Sequence, residues 1–120
     1  METYALVRPE HLNHHGYLFG GVMLKWVDEY AWLTASLDFP GSSFVTVGMD
    51  DIKFKRRVKN GSILKFLIKM SSLGKTSVSY SVEVLADEPG SEESCMVFST
   101  NITFVNLDEN ERPTKIKRDI

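Results

Sequence analysis

The chain has 120 residues, enough for one domain, and a hydrophobic fraction of 42%, which excludes a disordered chain. Fourteen Lys and Arg residues against 16 Asp and Glu residues leave a net charge of −2, which argues against a dedicated nucleic-acid-binding protein. The single cysteine, Cys95, cannot form an internal disulfide, and no apolar run approaches the roughly 20 residues of a membrane span. The first residues lack the pattern of a signal peptide. We therefore expect a cytoplasmic domain that binds neither nucleic acid nor membranes.

The first predicted elements are a short strand and a long helix. Thr3 to Val7 predict the strand. Gly20 to Leu37 predict the helix, because this segment contains good helix formers and no proline. Apolar residues cover most of its circumference, so we expect a mostly buried helix. Asp38, Pro40 and Gly41 mark its end.

At least four strands are predicted after the helix, because apolar and polar residues alternate along the chain. The short spacings between them favour antiparallel hairpins. One buried helix followed by such strands predicts an α+β fold in which the sheet wraps around the helix. We treat residues 1–120 as a single domain with a partly ordered, charged tail from about residue 109. The strand signals lie at Val45–Met49, Leu64–Met70, Thr76–Val84 and Met96–Phe104, with turn signals at Asn60-Gly61, Leu73-Gly74-Lys75 and Glu88-Pro89-Gly90.

The segment from His11 to Gly21 is the most informative part of the sequence, with three histidines, one asparagine and three glycines just before the helix. A helix N-terminus presents free N–H groups and a partial positive charge. Gly20 and Gly21 would let a substrate approach these N–H groups closely. An oxyanion site for acyl transfer requires this arrangement. The alternative is that the glycines only permit a tight turn and close packing.

Asp28 is an acid on a helix whose other residues are mostly apolar. Carboxylates in such surroundings concentrate at functional sites, although Lys25 could also be a structural ion-pair partner. Eight residues separate Gly20 from Asp28, which is about 12 Å along a helix axis. An Asp side chain cannot bridge that gap. If both residues act on one carbonyl, they come from different protomers, which predicts a dimer with two shared sites.

The motif Asn13-His14-His15-Gly16-x-x-Phe19-Gly20-Gly21, followed by the helical Asp28, resembles the hotdog-fold acyl-CoA thioesterases. The resemblance spans roughly residues 5–114, and Arg57 stands where many relatives have proline. It implies a hotdog fold, in which a five- to six-stranded antiparallel sheet wraps a long central helix. It also implies a homodimer that can assemble further into a trimer of dimers.

The resemblance implies hydrolysis of acyl-CoA to a free acid and CoA, with no cofactor apart from the CoA of the substrate. Asp28 would be the catalytic carboxylate, acting on water or attacking the thioester directly. Asn13 would come from the facing protomer, and the N–H of Gly20 or Gly21 would polarise the carbonyl. A non-catalytic acyl-CoA-binding domain is the alternative, and it would be recognised by the loss of these residues.

Other residues are candidates for substrate binding. The N-terminal motif supplies Phe19 and His15. Arg56 and Arg57 belong to a basic cluster, from Lys53 to Lys59, that could bind the CoA phosphates or simply be a solvated strand edge. A second phosphate contact could come from Lys75, Thr76 and Ser77. The three histidines lack nearby acidic or thiol ligands, so we expect no metal site. Trp26, Tyr30 and Trp32 could line an acyl tunnel or fill the core.

Overall fold

The computed structural model describes residues 1–118, which contain one long helix and five strands. In this part of the chain, no helix has both the length and the apolar character needed to cross a membrane. The predicted helix and strands are confirmed. The first strand lies one residue earlier than predicted, the helix ends one residue later, and the strand after the helix runs to Phe54, five residues beyond its predicted end. In chain order the elements are β1 (Glu2–Leu6), a 3₁₀ helix (Pro9–His11), α1 (Gly20–Asp38), β2 (Phe44–Phe54), β3 (Ile63–Leu73), β4 (Ser77–Asp87) and β5 (Cys95–Asn106).

The five strands form one antiparallel sheet with the order β1-β3-β4-β5-β2. Apolar residues alternate along β3, β4 and β5, so the apolar positions of each strand face the same side of the sheet. These three strands pair as the long hairpins β3–β4 and β4–β5. β1 and β2 are the edge strands. In β2 the pairing with β5 is interrupted after Thr46 and again after Asp50, so this edge is irregular.

The core lies between the concave face of the sheet and one side of α1. The large aromatic side chains of Phe66, Phe98 and Phe104 are completely buried there. The prediction of a mostly buried helix is wrong for the single chain: Trp32 is 41% exposed and Leu37 is 68% exposed. The reason is that one sheet can cover only one side of a helix. The buried helical residues are Met23, Val27, Ala31, Thr34 and Ala35.

Tyr80, near the start of β4, connects this strand to the C-terminal end of α1. Its side chain is completely buried, and its hydroxyl donates a hydrogen bond of 2.8 Å to Oδ2 of Asp38. Burial, the hydrogen bond and the negative charge of Asp38 together raise the pKa of Tyr80 well above its usual value. This contact holds the end of the helix against the sheet.

The segment after β5 packs back onto the domain as far as residue 118. The N–H of Thr114 donates to the carbonyl of Asn106, and the N–H of Ile116 donates to the carbonyl of Lys75. Ile116 is 1% exposed, so this part of the predicted tail contributes to the core. The last two residues of that tail, 119 and 120, lie outside the described residues.

Candidate active site

The N-terminus of α1 presents free backbone donors. Phe19 has extended backbone angles, and its carbonyl accepts hydrogen bonds from the N–H groups of Val22 and Met23. The N–H groups of Gly20 and Gly21 have no acceptor among the described residues. The first turn contains no acidic residue. The helix end therefore keeps its partial positive charge and can bind a developing negative charge.

The two glycines face different surroundings. Gly20 lines a cleft of about 370 Å³, and a Cβ added to it would lie 3.3 Å from the ring of Phe54. A Cβ added to Gly21 would instead lie 3.3 Å from the ring of Phe19, which is 56% exposed. The geometry therefore favours Gly20 over Gly21 as the donor that meets a ligand in the cleft.

Asn13 shapes the loop that borders this cleft. Its side-chain Oδ1 accepts hydrogen bonds from the N–H groups of His15 at 2.9 Å and Tyr17 at 3.2 Å. Gly16 completes the turn with a φ of +84°, a conformation that glycine adopts at little cost. The Nδ2 of Asn13 makes no hydrogen bond within residues 1–118 and remains available as a donor. Asn13 and His15 both line the cleft.

Cationic side chains border the same cleft. Lys55, Arg56 and Arg57 line it and are exposed. The guanidinium of Arg57 lies 5.1 Å from the ring centre of Tyr17, which is a cation–π contact. Arg57 stands where many relatives have proline, and its side chain is accommodated by the ring of Tyr17. Free N–H groups, an amide and three cations in one cleft suit a ligand with a carbonyl and phosphates.

Asp28 lies elsewhere on the same protomer. Its Oδ1 accepts a hydrogen bond of 2.5 Å from the hydroxyl of Thr46 on β2. It lines a second, shallower groove of about 410 Å³ that does not include Gly20. No salt bridge joins Lys25 to Asp28 or Glu29 in the described part of the chain. Gly20 and Asp28 of one protomer therefore line different depressions, as expected for residues eight positions apart on one helix.

The sequence reasoning did not identify Thr46 as a candidate site residue. It lies on β2 between two exposed valines, and its register partner is the buried Phe104. The signal that could have pointed to Thr46 is a hydroxyl at a strand position that is paired with a core residue. Its pairing with Asp28 depends on how β2 lies against α1, which the local pattern does not determine.

Lys75, Thr76 and Ser77 are not brought to the cleft within one protomer. The carbonyls of Lys75 and Thr76 accept N–H groups from Ile116 and Asn106, so this turn lies beside the end of β5. That end of the sheet is near the C-terminus of α1, whereas the cleft is at its N-terminus. Within residues 1–118, no group of three or more His, Cys, Asp or Glu side chains lies close enough together to hold a metal ion.

A long helix held in the concave face of one five-stranded antiparallel sheet is the hotdog fold. The hotdog thioesterase Cj0915 of Campylobacter jejuni, described as hexameric, superimposes with a TM-score of 0.86 at 29% identity, covering 96% of this chain and 88% of that one. The family model of the thioesterase superfamily matches residues 15–93. The chain belongs to the thioesterase superfamily.

Two curated relatives carry names of acyl-CoA enzymes. Mouse acyl-coenzyme A thioesterase 11 is 34% identical over 105 residues, covering 88% of this chain. The chain spans only 18% of the length of that relative. A Zymomonas mobilis protein, named as an uncharacterized acyl-CoA thioester hydrolase, is 30% identical over 112 residues and is covered over 74% of its length.

Proposed function

We propose that this chain hydrolyses acyl-CoA thioesters to a free acid and CoA, at sites shared between two protomers. The observation that carries the proposal is the free N–H of Gly20, which opens into a cleft beside Asn13 and the cationic side chains of Arg56 and Arg57. The names of the mouse and Zymomonas mobilis relatives support acyl-CoA as the substrate class.

The free edge of β2 supports the dimer. β2 pairs with β5 on one side only, and Val47 and Ile52 along it are 57% and 43% exposed. A long edge strand with exposed apolar residues tends to pair with another chain. Antiparallel pairing of two β2 strands would place the Phe54 end of one beside the Phe44 end of the other.

This pairing brings together the two halves of the proposed site. The Phe54 end of β2 packs beside Gly20, and Thr46, near the other end of β2, bonds to Asp28. Gly20 of one protomer therefore comes near Asp28 of its partner. The hexameric Campylobacter jejuni relative supports further assembly of such dimers into a trimer of dimers.

The proposed chemistry needs no cofactor. The thioester carbonyl oxygen accepts the N–H of Gly20, which stabilises the negative charge that develops on it. Asp28 of the partner either takes a proton from the attacking water or attacks the carbonyl carbon itself. In both routes the C–S bond breaks and CoA leaves as its thiolate. In the first route the attacking water becomes part of the free carboxylic acid, whereas in the second the acyl group forms a mixed anhydride with Asp28, which water then hydrolyses to the free acid and the restored carboxylate. Thr46 holds Asp28 in place through its hydroxyl.

The CoA phosphates are proposed to bind to Lys55, Arg56 and Arg57 at the mouth of the cleft. Lys75, Thr76 and Ser77 can contribute only if a neighbouring protomer brings their turn to the same substrate. Phe19 and His15 remain proposed substrate contacts. The cytoplasmic location expected from the sequence stays a prediction.

The experiment is thiol release from a panel of acyl-CoA thioesters by the wild-type protein and by Asp28→Ala and Asp28→Asn. We expect both variants to lose about a hundredfold or more of kcat, because a positioned acid–base group contributes roughly 10²–10⁴-fold. Asp87→Asn, at an exposed acid on β4 that lines neither the cleft nor the groove, is the matched control and should keep wild-type turnover. Tight acyl-CoA binding by the wild type without thiol release would instead establish the non-catalytic alternative.

A further inference from the structure

The groove beside Asp28 differs in character from the cleft beside Gly20. Trp32, Phe44 and Val45 form its apolar lining, and the charged side chains Lys25 and Glu29 also border it. Its volume is about 410 Å³. The cleft beside Gly20 also has apolar lining residues, but among the described residues it has three cations and no acid, whereas the groove has one cation and two acids. The cleft is therefore the better site for the CoA phosphates, and the groove, whose acids would repel phosphates, is left for the uncharged acyl chain.

Trp32 is held in a defined position in this groove. It lies one helical turn beyond Asp28, so the two side chains project from the same face of α1. Its indole Nε1–H donates a hydrogen bond of 3.0 Å to the carbonyl of Phe44. Turning the ring away would break this bond and leave the carbonyl without its donor. The side chain is nevertheless 41% exposed, so it faces space that a ligand can enter.

We propose that Trp32 is a specificity-determining residue that limits the length of the acyl chain. This inference rests on the proposed function. The phosphates occupy the cationic cleft of the partner protomer, and the thioester carbonyl lies between the partner's Gly20 and this protomer's Asp28. The acyl chain then continues past Asp28 along Phe44 and Val45 until it reaches the fixed indole ring.

The first experiment compares kcat/KM for butyryl-, octanoyl- and palmitoyl-CoA in the wild type and in Trp32→Ala. Each methylene that becomes buried is worth about fourfold in binding. We expect the ratio of palmitoyl-CoA to butyryl-CoA turnover to rise at least about tenfold, with butyryl-CoA turnover largely kept. Leu33→Ala is the matched control, because Leu33 is 40% exposed but does not line the groove. It should leave the ratio unchanged.

The second experiment does not depend on turnover or on the stability of Trp32→Ala. Binding of the same three acyl-CoAs is measured by calorimetry on Asp28→Ala, alone and combined with Val45→Phe. Val45→Phe fills the groove, so it should weaken binding of octanoyl- and palmitoyl-CoA at least about tenfold more than that of butyryl-CoA. An unchanged chain-length profile in both experiments would overturn the assignment of Trp32, even where wild-type hydrolysis establishes the proposed function. A wild type that neither binds nor hydrolyses any of the three would overturn both.

Discussion

The contact between Thr46 and Asp28 joins the only polar hydroxyl of the groove's lining to the proposed catalytic carboxylate. A hydrogen bond to a charged group is worth about 1.5–3 kcal/mol, which corresponds to roughly 10–100-fold in rate if it is needed in the transition state. A carboxylate that must act on a carbonyl held by another protomer depends strongly on its orientation. We therefore predict that Thr46 is a positioning residue for the proposed catalytic Asp28.

Replacing Thr46 by Val keeps the size of the side chain and removes the hydroxyl. We expect kcat to fall about tenfold to a hundredfold with little change in KM, because the substrate contacts remain. Thr46→Ser should restore most of the lost turnover, which a merely structural role in packing would not predict. Steady-state thiol release measures both constants. Wild-type kcat in Thr46→Val would contradict the assignment.

At the scale of the elements, the link between β4 and the end of α1 predicts a pH dependence of stability. The pKa of Tyr80 is raised in the folded chain by burial and by the hydrogen bond and charge of Asp38. In the unfolded chain it returns to about 10. The unfolded chain therefore loses this proton first, so the stabilisation is present below about pH 10 and declines as the pH rises above it.

Urea unfolding between neutral and strongly alkaline pH tests this link. Tyr80→Phe should lower the free energy of unfolding at neutral pH by about 1 kcal/mol, because Asp38 is exposed and water can replace the lost donor. Tyr80→Phe should also remove part of the decline in the free energy of unfolding at alkaline pH. Tyr4→Phe, at a tyrosine that is 58% exposed, should keep the decline of the wild type. Equal pH profiles for Tyr80→Phe and the wild type would refute the contribution of Tyr80.

At the scale of the whole molecule, the decisive feature is that Gly20 and Asp28 of one chain face different depressions. A site that needs both residues can form only between two copies. In the proposed dimer, the free edge of β2 with its exposed apolar residues supplies the surface for that association. We therefore expect thiol release only from the associated protein and none from a single chain.

A mixed dimer tests this arrangement. Asp28→Ala and Gly20→Val should each be inactive, the second because its branched side chain would occupy the cleft beside the N–H that is proposed to polarise the carbonyl. Heterodimers, purified through two different tags, carry one intact and one doubly defective site. They should therefore recover up to about half of the wild-type rate. Circular dichroism checks the fold of each parent. Heterodimers as inactive as both folded parents would exclude a site shared in this way.

The elements of the fold could be predicted because they depend on local patterns. Alternation along β4 and the run of helix formers from Gly20 onward are properties of neighbouring residues. The exposed side of α1 could not be predicted in this way. Trp32 and Leu37 have the same apolar character as the buried Val27, and only the position of the sheet decides which of them is covered.

The sequence by itself determined the order of helix and strands, the family motif around Gly20, and the distance that keeps Gly20 from reaching Asp28 of the same chain. These follow from local periodicity and from the fixed rise of a helix. Only the tertiary structure decided that Thr46 bonds to Asp28, that Phe54 lies against Gly20, and that Trp32 is held in the groove beside Asp28. Each of these contacts joins residues on α1 to residues on β2. The way these two elements pack depends on the register of the whole sheet, which no short stretch of sequence specifies.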